Sequence, residues 1–206
     1  MALRILPFRQ YDENDVINMF ALGNAYVNES TTGSSHGDAG VFVAVDSADF
    51  NADPVTYGTD SYLGKTDYPF VGANQYPSVS LKVKPAVSGT ALLGLTLRQT
   101  AKTDENGEKL LYYPQKREEL QCVLPGQAVP VATRGVFTIT ATAYTGALTV
   151  GGGIKLTTGV AASGKVGACT VSDSDRVGIV IGTGSRTSGT VTDALAGNYA
   201  VIALGL

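Results

Sequence analysis

Beyond residue 120 the chain is a succession of short apolar runs cut by small turn residues. This pattern constrains the fold more than any other feature. Candidate strands are 121–124, 128–133, 135–142, 147–150, 153–157, 165–171, 177–182 and 198–204. Turn signals separate them at Pro125-Gly126, Tyr144-Thr145-Gly146, Gly151-Gly152, Ala162-Ser163-Gly164, Asp173-Ser174-Asp175 and Ser188-Gly189. Short strands at a spacing of roughly 8–12 residues point to a small barrel or sandwich. Residues 126–206 hold 15 of the 25 glycines, with only three acidic and five basic groups. Long helices have little room there. The chain reads as mainly β, with a small β-barrel or sandwich domain at 121–206.

The front part differs. Residues 1–125 carry 15 acidic and 10 basic groups. Residues 1–25 read as an arm. Leu3 to Tyr11 is extended, because Pro7 biases Leu6 away from helix. Asp12 to Phe20 has the marks of a short helix, with Asp12 as N-cap, or of an arm that orders on a partner. Residues 28–40 are a Gly/Ser-rich loop. Val41 to Val45 is an apolar strand. Residues 46–78 show no period; their tyrosines and prolines suggest an extended, turn-rich segment. Val79 to Lys84 alternates as a half-buried strand does. Ala91 to Gln99 is a further strand, Asn106-Gly107 a hairpin turn, and Leu110 to Tyr113 the strand that follows it. The region 26–120 is therefore expected to be extended, turn-rich β structure.

Several chemistries fail on their own residue requirements. His36 is the single histidine, beside Ser34, Ser35 and Asp38 in a loop, and reads as a solvated side chain. Cys122 and Cys169 are 47 residues apart without a Cys-x-x-Cys pair, so they read as free thiols in small-residue strands. Val177 to Gly184 resembles the strand that opens a dinucleotide site, but Thr187 stands where the third glycine belongs. Gly64-Lys65-Thr66 lacks the upstream glycine of a phosphate loop, since Thr59 stands there. The carboxylates Asp12, Glu13 and Asp15, and Asp104, Glu105 and Glu108, lack the ligand spacing of a calcium loop and read as solvated turn groups. Lys116-Arg117-Glu118-Glu119 reads as a solvated connection, or as ion pairs to a neighbouring subunit. The expectation is a non-enzyme without metal or cofactor.

Partner-binding candidates lie in the front part. Arg4, Phe8, Arg9 and Tyr11 combine the residue types favoured as interface anchors, either on a docking arm or on the first strand of the fold itself. Two arginines and a net charge of −3 give too little phosphate affinity for nucleic-acid binding. Tyr57, Tyr62 and Tyr68, with Tyr76, are available for contact or for stacking on sugar rings. No run reaches the ~18 apolar residues of a membrane helix, and the first ten residues lack a signal-peptide core. The protein is expected to stay in the cytoplasm where it is made.

Three stretches together carry a resemblance: Leu124 to Phe137, Gly151 to Ala168 by way of Gly153-Ile154-Lys155-Leu156, and Arg176 to Gly182 closed by Gly197 to Leu204. Their succession resembles the small β-barrel modules of tailed-bacteriophage capsid decoration (cement) proteins, in pattern and composition over about 80 residues. The resemblance implies a virion protein on the capsid surface that binds the major capsid protein, bridges its subunits and is itself a homo-oligomer, with a trimer favoured. The longer, Tyr/Pro-rich front departs from the compact cement proteins. A phage fibre, tail or neck-associated module that binds a surface or carbohydrate is the alternative.

Overall fold

A computed structural model describes residues 4–21, 38–46, 82–101, 103–104, 106–124, 127–159, 164–186 and 196–205. Fourteen strands run through them: β1 (Ile5–Gln10), β2 (Val16–Ala21), β3 (Phe42–Asp46), β4 (Lys82–Pro85), β5 (Gly94–Thr96), β6 (Gln99–Thr100), β7 (Cys122–Val123), β8 (Ala128–Ala132), β9 (Gly135–Thr140), β10 (Tyr144–Thr145), β11 (Gly153–Leu156), β12 (Val166–Cys169), β13 (Arg176–Arg186) and β14 (Gly197–Leu204). The fold is mainly β, as its alternation and glycine turns require.

The C-terminal strands form an open seven-stranded sheet in the order β1-β9-β14-β13-β11-β12-β10. The small barrel or sandwich expected from 121–206 alone is corrected: these strands make one sheet that takes β1 as its edge, and β8 pairs instead with the front strands, because strand pairing follows shared burial and not sequence order. Its edge is a strand from the other end of the chain: β1 pairs with β9, Ile5 opposite Ile139 and Gln10 opposite Val136, with a bulge between Ile5 and Arg9. Pro7 sits in that edge strand, where a missing N–H costs no ladder bond.

The front strands pair in a ring with β8. β2 pairs with β4, β4 with β3, β3 with β5, β5 with β8, and β8 again with β2. Front and back of the sequence are therefore interleaved. β5 approaches β8 closely because residue 94 is glycine; a Cβ there would stand 2.2 Å from the Ala132 carbonyl oxygen.

Alternation along each strand divides the core. Val41, Val43, Val83, Val129 and Val131 fill one cluster, with Ile17 and Met19 packed against it. Phe42, Ala44, Leu95 and Ala132 face the other way. They meet Phe137, Ile139, Ile154, Val180 and Ile202 of the large sheet in a single shared core. Burial on this scale stabilises by roughly 1.5–3 kcal/mol per large side chain.

Four local expectations are corrected. The segment expected as a helix at 12–20 is a 3-10 turn, Glu13–Asp15, running straight into β2. Asp12 does cap, its Oδ1 accepting from Asn14 N–H at 2.8 Å. But Val16, Ile17 and Met19 serve alternate strand faces instead of one helix face, because pairing with β8 outweighs local propensity. Residues 110–113 are turns and not a strand, closed by the Tyr112 and Tyr113 N–H groups on the Lys109 and Leu110 carbonyls. Residues 147–150 are irregular; the local strand is β10 at 144–145. The connection at 116–119 is part of a short helix, Pro114–Glu119, with proline at its start where its lack of an N–H is harmless.

That helix, β6 and β7 make a small lobe. Its apolar centre is Ala101, Leu110, Cys122 and Leu124. Asp104, expected as a solvated turn carboxylate, is buried instead. It accepts from the N–H groups of Asn106 (2.9 Å) and Glu108 (2.7 Å), and from the Lys116 ammonium. Its bond to Lys116 holds the carboxyl below the usual aspartate range.

Candidate functional site

β1, the 3-10 turn, the ring and the lobe converge on one groove of about 550 Å³. It is lined by Arg9 of β1, Tyr11 just after it, Glu13 of the turn, Val16 and Asn18 of β2, Leu97, Arg98 and Pro130 from the ring side, and Gln121 from the lobe. A seam between elements is a usual place for a binding site, since no single sheet has to be broken to form it.

The positioning of Tyr11 is specific. Its ring stacks on that of Phe137, with centroids 6.0 Å apart and planes 19° from parallel. Phe137 is fully buried, whereas Tyr11 is 40% exposed, so the tyrosine is an outer layer on the core. Gly135 permits this. Its φ is +135°, and a Cβ would stand 2.6 Å from the Gln10 carbonyl oxygen and 2.9 Å from the Tyr11 Cβ. The turn after Tyr11 is tied down by Thr133, whose N–H and hydroxyl both donate to the Asp15 carbonyl at 2.8 and 2.9 Å.

The groove's polar groups are only partly matched. Arg98 donates to Glu118 at 3.1 Å across an exposed pair, an arrangement that contributes about 0–1 kcal/mol. The side chains of Arg9, Tyr11, Glu13, Asn18 and Gln121 make no hydrogen bond or ion pair among the described residues. Gln121 also has φ +49°, in the left-handed region that favours glycine. It occupies the turn that leaves the lobe helix, and holding it there costs about 1–2 kcal/mol.

The other sequence candidates part company. Arg4 is no docking residue. It is completely buried, its Nε 3.5 Å from Asp38 and its Nη1 donating to the Gly164 carbonyl at 3.1 Å. Burial pulls its guanidinium below the ordinary value, against the opposing attraction of Asp38. Phe8 is 56% exposed on the edge strand. Tyr57, Tyr62, Tyr68 and Tyr76 lie outside the described residues, as does His36. Cys122 is buried, its thiol donating to the Val123 carbonyl at 3.3 Å, and Cys169 is half-buried, where burial raises its thiol. Among the described residues no group of His, Cys, Asp and Glu could hold a metal ion.

Sequence reasoning missed Glu13, Asn18, Arg98 and Gln121 as groove residues. Arg98 and Gln121 lie 80 and 103 positions beyond Asn18 in the chain and reach the groove only through the tertiary fold. It also missed Tyr112 and Tyr113, which are 67% and 48% exposed on the lobe. The adjacent Tyr-Tyr-Pro run was the available signal.

The large sheet presents a second surface. Cross-strand register places Val136, Ala203 and Ile179 in one row on the face opposite the core, and Thr138 beside Val201 in the next; Ala203 and Thr138 are themselves buried. Phe137, Ile139 and Ile202, at alternate positions, point into the core. No charged side chain stands in those two rows. Ile181, at the neighbouring bulge, is 51% exposed.

No helix among the described residues is long and apolar enough to cross a membrane. The chain matches no protein-family model, no curated protein and no solved structure.

Proposed function

We propose that this chain is a virion structural protein that binds the outside of a phage capsid and bridges major capsid subunits as a homo-oligomer, a trimer being favoured. The observation that carries the reading is the meeting of the three resembling stretches. They supply β8 and β9, β11 and β12, and β13 and β14, and the last five of these are consecutive neighbours in one sheet. That is what a single β module demands of them. The exposed Phe8 and Tyr11 suit contact with protein. Binding that exists only on the assembled shell stabilises the shell by mass action.

The test is direct. Purified protein should bind assembled shells and not free coat subunits, and it should raise the temperature at which shells release their contents. Its absence from purified particles would remove this reading. A carbohydrate-binding module is the second reading, supported by the solvent-facing Tyr112 and Tyr113. A glycan array without binding would eliminate it.

A further inference from the structure

We propose that the seam groove is a contact between copies of this chain, in which Arg9 of each copy pairs with Glu13 of its neighbour. The proposal deepens the homo-oligomeric reading above and rests on it. The groove carries both signs of charge, with Arg9 and Glu13 among its lining residues. Neither side chain is paired within the described chain. A surface that holds one unpaired cation and one unpaired anion is complementary to itself, as a twofold contact between identical copies requires. Under a twofold axis each pair would form twice; around a closed ring it would form once per interface.

The surrounding residues fit such an occupant. Tyr11 lies between Arg9 and Glu13 in sequence and is held rigid by its stack on Phe137. A rigid, partly exposed aromatic beside an arginine is the composition of interface anchors. Val16, Leu97 and Pro130 give the groove apolar lining, and Asn18 and Gln121 supply hydrogen-bonding groups at its border. A uniformly acidic or basic partner suits it less. Arg9 and Arg98 would repel a basic segment, whereas Glu13, together with Asp12 and Asp15 on the same turn, would repel an acidic one.

The experiment is sedimentation of the full chain over a range of concentrations, with circular dichroism to check folding. Wild type should associate. Arg9→Glu and Glu13→Arg should each weaken association by about tenfold or more, and the double exchange should recover most of the loss. Tyr11→Ala, which leaves both charges in place, should also weaken it. Single exchanges without effect, or a double variant no better than the singles, would overturn the contact. So would a wild type that stays monomeric throughout. Shell binding, measured separately, keeps the two readings apart. Loss of association with shell binding retained leaves decoration standing without this contact as its requirement. Association that follows the exchanges in a chain that never binds shells supports the contact and removes decoration.

Discussion

The body and the lobe of this protein solve the same problem by different means. The body, made of the large sheet and the ring, is held by a broad apolar core in which Phe42, Leu95, Phe137, Ile139, Ile154 and Ile202 are completely buried. The lobe has four buried side chains at its centre, and one of them is a cysteine. It compensates with polar ties: Asp104 gathers two backbone N–H groups and the Lys116 ammonium, and Gln99 Nε2 donates to the Leu120 carbonyl at 2.6 Å. The body also has a buried ion pair, Arg4 with Asp38, but there the charges are enclosed by a core that already exists. The difference teaches that a small unit with little to bury relies on directional bonds, and that such a unit opens first.

The largest effect should come from breaking the body's core. Phe137→Ala should cost about 4 kcal/mol by loss of buried area and creation of a cavity. Urea denaturation reads the loss, and the Tyr11 fluorescence should change with it because its stacking partner is gone. Next comes the buried ion pair. Arg4→Met should cost about 3 kcal/mol, since it leaves the Asp38 carboxylate enclosed without its cation. The double variant Arg4→Met, Asp38→Asn should be more stable than Arg4→Met alone, and equal stability would show that the carboxylate left behind carries no penalty.

The lobe should respond to pH before the body does. The Asp104 carboxyl is held below its ordinary value by Lys116 and by two backbone donors. A depressed acid stabilises the fold above its unfolded value and loses that contribution as pH falls through the folded one. Hydrogen exchange should therefore show lobe amides losing protection as pH drops below about 3.9. Amides of β9 and β14 should stay protected longer. In Asp104→Asn the acid-dependent part should vanish, leaving a lobe weakened at every pH. The smallest effect lies on the outer face of the sheet. Among the described residues the buried Thr138 hydroxyl has no hydrogen-bond partner. Thr138→Val should be neutral or stabilise by up to about 1 kcal/mol, read as a small rise in the urea midpoint.

Much of the fold was legible because the strand period is local. The expected strands at 41–45, 128–133, 135–142, 153–157 and 198–204 correspond to β3, β8, β9, β11 and β14. Their apolar residues alternate over short distances, and glycine marks their ends. Segments whose state depends on a distant partner were not legible. Val16 to Phe20 has enough apolar residues for a helix face, and becomes a strand because β8 pairs with it, more than a hundred residues later. Leu110 to Tyr113 looks like a strand and finds no partner, so it closes as turns. Of the docking candidates, Phe8, Arg9 and Tyr11 do reach a surface. Arg4 does not, because the carbonyl of Gly164 and the carboxylate of Asp38 enclose it.

The sequence by itself determined that this chain is mainly β, where most of its strands run, and that the back of the chain is nearly free of charge. Those properties follow from alternation and composition, which act over a few residues. Only the tertiary structure decided that β1 completes the C-terminal sheet and that β8 completes the ring of front strands. It also brought Arg9, Glu13, Arg98 and Gln121 around one groove. Pairing between strands far apart in sequence is chosen by which faces bury together, and that choice has no local signature.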